Sequence, residues 1–306
     1  MKMPAGLLVT FNPHPDFFTR LDMFYTQLNQ IIVVDNGSNP DTCRLLDQET
    51  QRRGSSLNVI FNETNLGIAK ALNQGCNWAL EHGYDHIIAF DQDSYPAPGM
   101  ISTMLEVLST YAEDGKLAVV APVVLDPLMK IQARYLRPKN KWLFERVFCD
   151  CTALEDVTFV ITAGSLYDLK AYQQIGPFRD DFFIDYVDME YCLRARQRGY
   201  QIIVTCNAHL NHRQGERQKR VLWGQNHYPT FHSPLRWYFS ARNRIQMFRQ
   251  YAIRFPHWAM YEVVANLYIF IKMLLFETQR IAKLRAFFRG TLDGIRGRMG
   301  KAPDVF

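Results

Sequence analysis

Several familiar signatures are missing from this chain of 306 residues. It has no G-x-G-x-x-G and no G-x-x-x-x-G-K-[ST] run, which counts against a dinucleotide dehydrogenase and against a P-loop NTPase. Its six cysteines (Cys43, Cys76, Cys149, Cys151, Cys192 and Cys206) include no C-x-x-C pair. A zinc cluster and a redox dithiol therefore have little support, and reduced thiols in the cytosol are the expectation. No cationic-then-apolar start leads to a small-residue cleavage site, so export by a signal peptide is not expected. Internal repeats and low-complexity tracts are absent too. Charge is nearly balanced, 35 Lys and Arg against 30 Asp and Glu, too mild an excess to indicate nucleic acid by itself. At 48% apolar and 21% charged, the chain can bury a full core, and its length suits one large domain or one domain with an appendage.

Strand and helix signals alternate through the first third. Residues 6–11 form a short apolar run stopped by Asn12-Pro13, and Ile31-Ile32-Val33-Val34-Asp35 is a second run ended by the turn Asn36-Gly37-Ser38. Between them Phe17, Leu21, Phe24 and Leu28 share a helical face, with Asp16 placed to cap it. Residues 57–61 and 86–90 read as third and fourth strands. The helix between them uses Ile68, Ala71, Leu72, Cys76, Ala79 and Leu80 and stops at Gly83. Further strands are expected over 116–124, 157–163 and 201–206, a variable connection over 126–156, and a helix over about 188–198. Strands apolar on both faces and separated by helices predict a mainly parallel sheet covered on both sides. Ligands then collect beyond the carboxyl ends of the strands, where Asn12, Asp35 and Asp91 all fall.

The most informative short run is Asp91-Gln92-Asp93-Ser94. Two carboxylates one residue apart, where a buried strand opens into a loop, can share one hard cation. Mg²⁺ or Mn²⁺ takes carboxylate oxygen and keeps positions for diphosphate. A solvated acidic turn is the plain alternative. Asp35 can accept from a nucleobase imide or a ribose hydroxyl, or merely cap a helix with Asn36 and Ser38. Asn65-Leu66-Gly67-Ile68-Ala69-Lys70 opens a helix where Gly67 permits close backbone approach and Lys70 can face phosphate. Residues 182–190 set Asp185, Asp188 and Glu190 among aromatics at a helix start, either as capping acids or with one as general base for a hydroxyl nucleophile. His209 and His212 follow the last strand, where a neutral imidazole can complete a cation's shell and nearby arginines can meet phosphate.

With these runs placed, the chain resembles family-2 glycosyltransferases of the GT-A fold, and within them the bacterial rhamnosyltransferases. The resemblance spans about residues 5 to 250. It is carried by Val9-Thr10-Phe11-Asn12-Pro13, Val33-Val34-Asp35-Asn36-Gly37-Ser38, Asn65-Leu66-Gly67-Ile68-Ala69 and Phe90-Asp91-Gln92-Asp93-Ser94. Phe183-Ile184-Asp185-Tyr186-Val187-Asp188-Met189-Glu190, His212 to Gly215, and Tyr238 to Asn243 continue it. It implies an α/β, Rossmann-like fold with a mainly parallel central sheet flanked by helices and a C-terminal helical extension. The catalytic domain would cover residues 1–250, about 1–115 binding the nucleotide-sugar and 116–250 the acceptor, with a basic amphipathic extension over 251–306. It also implies a nucleotide-diphosphate sugar donor, dTDP-rhamnose by similarity or another nucleotide-sugar such as a UDP-hexose. Thr10 and Asp35 would lie near the base, Asp91 near the ribose and metal, and Asn12, Asn65, Gly67, Lys70 and Gln92 along the donor. Asp93 would ligate Mg²⁺ or Mn²⁺ with Asp91 and His212, and Arg242 would contact diphosphate or acceptor. Asp188 matches the base of the family's Glu-Asp motif. Val187 stands where that motif has Glu, so Asp185 remains the alternative register, with Glu190 in a supporting role.

The remaining features bear on acceptor and location. Residues 257–288 are apolar and helical, but Glu262, Asn266 and Lys272 interrupt the run and argue against a bilayer span. With Lys283, Arg285, Arg289, Arg296 and Arg298 following, a basic amphipathic helix on an anionic leaflet fits a lipid-linked or cell-surface glycan acceptor. Packing on the catalytic domain or a partner is the competing account. The expectation is thus a cytoplasmic enzyme, peripheral on the inner membrane's cytoplasmic face in the first case. A sugar nucleotidyltransferase is disfavoured because Phe11-Asn12-Pro13-His14-Pro15 stands where its glycine-rich basic loop belongs. A decayed, non-catalytic binding protein would be expected to have lost Asp93 or Asp188, and nucleic-acid binding through 213–254 is the weakest reading.

Overall fold

A computed structural model of the chain describes residues 2–111, 115–126, 131–212, 220–222, 225–227 and 231–302. Residues 213–219, which include the end of the His212 to Gly215 run and the first part of the basic 213–254 tract, lie outside the described residues. The elements run β1 (Ala5–Thr10), α1 (Asp16–Tyr25), β2 (Ile31–Asp35), α2 (Pro40–Arg53), β3 (Leu57–Phe61), α3 (Ile68–Glu81), β4 (His86–Asp91), β5 (Ser94–Pro96), α4 (Met100–Tyr111) and β6 (Leu117–Asp126). They continue with β7 (Ile131–Gln132), β8 (Tyr135–Pro138), β9 (Phe144–Val147), β10 (Ala153–Leu154), β11 (Leu166–Asp168), α5 (Leu169–Ile175), α6 (Val187–Gln197), β12 (Gln201–His212), β13 (Arg220–Leu222), β14 (Gln225–His227), α7 (Pro234–Tyr251), α8 (Pro256–Phe276) and α9 (Arg280–Ile295). Two compact units result. One comprises residues 1–137, 146–180 and 187–213, the other 138–145, 181–186 and 214–306.

The first unit is built on one sheet in the order β10-β12-β6-β11-β4-β1-β2-β3, with β5 added on β12 and β7 on β6. Every residue of β1 and β2 is buried, as expected of strands covered by helices on both faces. The β3-β2-β1-β4 half is parallel. Beyond it the sheet is mixed, because the short β11 runs antiparallel between β4 and β6. Two expectations are revised here. Residues 157–163 are not a strand: Val157, Val160 and Ala163 are buried, but the segment joins no strand ladder, and Thr158 N donates to Leu136 O at 2.8 Å. The last strand does not stop at Cys206 but continues to His212, with a register shift between Thr205 and His209.

Cys149 and Cys206, 57 residues apart, form a disulfide, so reduced thiols are not the state of this pair. Sequence spacing carries no trace of it. The two cysteines meet because β10 pairs with β12, Ala153 against Thr205.

The second unit holds α7, α8 and α9. Trp237, Tyr238 and Phe239 of α7 pack with Met273 and Ala286. α9 lies against α7 at Gly290 and Gly294, where an added Cβ would sit 2.2 Å from Tyr238 O and 2.6 Å from Arg242 O. Only glycine permits that approach. The apolar stretch expected as one helix breaks near Gln279, whose φ is 55°. α8 is long and apolar enough to cross a membrane by length and composition, and only five of its 21 residues are buried.

Candidate active site

Strand register decides which polar side chains meet. Thr10 of β1 lies opposite Asp35 of β2, and Val9 opposite Asp91 of β4, so all three strand ends finish on one edge. Neighbouring strands are about 4.8 Å apart, which puts Asp35 and Asp91 about 10 Å from each other. Thr10 Oγ1 donates to Asp35 Oδ1 at 3.0 Å, and Ser38 N to Asp35 Oδ2 at 2.9 Å. Ser38 Oγ adds a third bond to Oδ1. Asp35 itself is fully buried. A buried carboxylate supplied with donors on both oxygens is stable where a bare one would not be.

The loops around this pair are tied together by amides. Asn12, in a left-handed turn at φ 46°, accepts from the backbone and side chain of Asn39, and its own N–H donates to Ser38 Oγ. Asn36 donates to Asn65 Oδ1 and Gly67 O and accepts from Leu66 N. Gly37 is required here by space: a Cβ would lie 2.6 Å from the Thr64 carbonyl carbon. The Asn36–Gly37–Ser38 turn thus packs against the Asn65–Gly67 loop that opens α3. Lys70, on the first turn of α3, makes a long contact of 3.6 Å with Asp180 and is half exposed. The sequence marks Asn36 and Ser38 as turn and capping residues and gives no signal for Asn39; their scaffolding role needs the loops brought together.

The Asp91–Asp93 turn is docked from below. Phe11 N donates to Gln92 Oε1, and Arg20 Nη2 to Gln92 O, both at 2.9 Å. Across from it β5 pairs antiparallel with the end of β12, placing His212 opposite Ser94. His212 Nε2 is 3.8 Å from Asp91 Oδ2, and Nδ1 is 3.4 Å from Asp93 Oδ1. One ligand atom from each of the three residues falls within 4.8 Å of the others. His212 Nδ1 is buried yet makes no hydrogen bond of acceptable geometry. Burial pushes the imidazole pKa down, but Asp93 and Asp91, with Asp126 behind them, outweigh it and hold it above its ordinary value. Two carboxylates and an imidazole with an unsatisfied nitrogen fit a hard divalent cation such as Mn²⁺ or Mg²⁺.

The acids of residues 182–190 have separate environments. Asp188 sits in the first turn of α6, where Met189 N donates to its Oδ1 at 2.8 Å. Its charge reaches Tyr167 on β11, whose hydroxyl pKa is raised first by burial, then by Cys192 and Asp188. Glu190 is buried and bound by Arg194 through Nε and Nη2, at 3.0 and 2.9 Å. In the second unit, Asp185 accepts from Arg236 at 3.0 Å. Burial raises the Asp185 pKa against the opposing pull of Arg236 and Arg244.

Arg242, expected at diphosphate or acceptor, has another use here. It is fully buried and donates to Phe182 O, Asp181 O, Gly300 O and Asn243 Oδ1. A guanidinium without exposed surface cannot meet a phosphate as it stands. Asn243 beside it donates to Phe182 O, Ile184 O and Asp185 O. Together they clasp a segment in which Phe183, Asp185 and Tyr186 all have left-handed φ near 65°. Asn243 lay in a resembling stretch, but no sequence signal marked its hold on these carbonyls.

Comparison with known proteins gives concordant results. The family model described as glycosyl transferase family 2 matches residues 19–176. The dTDP-rhamnosyl transferase RfbF of Shigella flexneri is 28% identical over 307 residues, covering 96% of each chain. The polyprenol monophosphomannose synthase of Mycolicibacterium smegmatis is 29% identical over 143 residues, 46% of this chain and 48% of that one. Among solved structures, GalNAc-T7 with UDP, GalNAc and Mn²⁺ superposes with TM-score 0.59 at 14% identity, over 81% of this chain and 47% of that one. S. aureus TarS does so with TM-score 0.57 at 13% identity, over 99% of this chain and 50% of that one. These distant structures share the fold, and the chain spans about half the length of either.

Proposed function

The chain belongs to glycosyl transferase family 2 and is a glycosyltransferase, and on that footing we propose that it moves L-rhamnose from dTDP-rhamnose onto a glycan hydroxyl with inversion. The observation that carries the transferase chemistry is the Asp91–Asp93–His212 group, on the same strand edge as Thr10 and Asp35. The choice of dTDP-rhamnose rests on the likeness to the Shigella enzyme along nearly the whole chain.

In this reading Thr10 and Asp35, buried and bonded to each other, shape the strand edge on which the nucleoside rests, with Asn12, Asn65, Gly67, Lys70 and Gln92 along the donor. Asp91, Asp93 and His212 would hold Mg²⁺ or Mn²⁺, which would supply positive charge to offset that on the diphosphate. Asp188 takes the proton from the acceptor hydroxyl as that oxygen attacks the anomeric carbon opposite the nucleotide, so configuration inverts. The hydrogen bond from Met189 N holds the Asp188 carboxylate in one orientation for this transfer. Glu190, engaged by Arg194, supports the helix that carries the base, and Asp185, engaged by Arg236, remains the alternative register for it.

The acceptor is lipid-linked or part of a cell-surface polysaccharide, met on the cytoplasmic face of a membrane. What supports this is α8, which exposes Val263, Val264, Leu267, Tyr268 and Leu275, each more than half accessible. Exposed Arg280, Arg285 and Arg289 on α9 add positive charge in the same unit. Apolar surface with adjoining cations suits the boundary of an anionic leaflet.

A thermal-shift panel of dTDP, UDP and GDP, each with Mn²⁺, tests the donor. The largest rise is expected with dTDP. A larger rise with UDP would reassign the donor to a UDP-hexose, and no rise with any nucleotide would refute a sugar-nucleotide site.

A further inference from the structure

We infer that Cys149, Cys151 and Cys206 form a thiol–disulfide exchange site, in which Cys206 trades its partner between Cys149 and Cys151. A structural staple needs two cysteines, and here a third stands beside the bond. Cys151 is a free, exposed thiol whose Sγ lies 3.6 Å from Cys206 Sγ. Cys149 and Cys206, the bonded pair, are nearly buried. The arrangement is set by backbone. β10 pairs with β12 through Ala153 and Thr205, and Cys206 N donates to Thr152 O at 3.0 Å, so the chain just before β10 runs beside Cys206. Residues 149 and 151, two apart, both reach it.

The exchange balances without an outside reagent. Cys151 releases its proton to solvent and its sulfur attacks Cys206 Sγ. The Cys151–Cys206 bond forms as the Cys149–Cys206 bond breaks. The electron pair leaves on Cys149 Sγ, which takes up a proton. Of the other free cysteines, Cys43 has its thiol toward Asp35 and Ser38. Cys76 and Cys192 are buried, and burial drives both thiols' pKa upward, that of Cys192 to about 12.

Position gives the exchange a consequence. Cys206 lies where β12 shifts register against β6, in the strand that ends at His212. The partner Cys206 holds therefore decides which backbone position pins that irregularity. The exposed Cys151 also becomes the entry point for external thiols, since the Cys149–Cys206 bond is shielded.

The test uses the full chain purified without reductant and equilibrated near pH 8, where about a quarter of ordinary thiols are ionised. Free thiols are trapped with N-ethylmaleimide in acid. Endoproteinase Asp-N then cuts before Asp150 and separates Cys149 from Cys151 for mass spectrometry. Linked peptides for both pairings are expected, each with the displaced cysteine alkylated. A Cys149–Cys206 link alone, with Cys151 fully alkylated, would overturn the proposal, as would alkylation of all three. Two variants sharpen it. Cys149→Ser should still form the Cys151–Cys206 bond, and free thiols at both positions would count against exchange. Cys151→Ser should slow reduction of the disulfide by dithiothreitol about tenfold; an unchanged rate would deny Cys151 its part. None of these readouts depends on the transferase reaction.

Discussion

Asp35 is surrounded by donors, from Thr10 and from the backbone and hydroxyl of Ser38, and has no exposed surface. A short way along the same sheet edge, Asp91 and Asp93 face the buried His212 Nδ1, which has no hydrogen bond. The first cluster is complete without a ligand and holds two loops in place. The second sets two carboxylates around an imidazole whose charged form they favour, so that a proton or a bound cation balances their charge. The contrast separates a scaffold that is built in advance from a centre completed by what it binds. Carboxylates at neighbouring strand ends can therefore have opposite energetic roles.

The strongest test lies outside both clusters. Asp188→Asn should reduce transfer by about a thousandfold while donor affinity by calorimetry stays within a factor of about two; near-normal turnover would remove Asp188 as base. Within the comparison, Asp93→Ala should weaken Mn²⁺-dependent donor binding by about tenfold or more, without lowering Tm in metal-free buffer. If donor affinity proved independent of Mn²⁺ in the native protein, the second cluster would lose its metal role. Asp35→Asn should behave in the opposite way. Its amide turns a donor toward other donors, so a loss of about 1–3 kcal/mol is expected in denaturant unfolding, with or without Mn²⁺. Equal responses of the two variants to Mn²⁺ would erase the distinction.

The smallest effect concerns a buried acid in the second unit. Burial raises the Glu262 carboxyl above its ordinary 4.5, although Tyr186, Arg244 and Asn266 pull it down. The fold then favours the protonated form. That stability is fully present below 4.5 and is lost as pH rises through the higher folded value. Glu262→Gln keeps an acceptor for Tyr186 and Asn266 and should flatten Tm between about pH 4 and 8. An unchanged slope would mean that Glu262 does not titrate in this range.

Much of the first unit is legible in the sequence because its signals are local. Fully apolar runs such as Ile31–Val34 announce buried strands, and a polar residue just after each announces the ligand edge. The same reasoning fails for residues 157–163, whose apolarity marks burial but not ladder pairing. Arg242 illustrates a second limit. An arginine in a basic tract suggests phosphate, yet this one spends its donors on backbone carbonyls inside a helical unit.

The sequence alone determined the α/β alternation, the strand ends carrying Thr10, Asp35 and Asp91, and the paired acids at 91 and 93, since periodicity and short spacing are properties of neighbouring residues. Only the tertiary structure decided that β12 runs on to bring His212 opposite Ser94, that Cys206 meets Cys149 and Cys151, and that Arg242 is buried. Those contacts join residues tens of positions apart. They depend on which strands and helices become neighbours, and that is settled by packing the whole core rather than by any one segment.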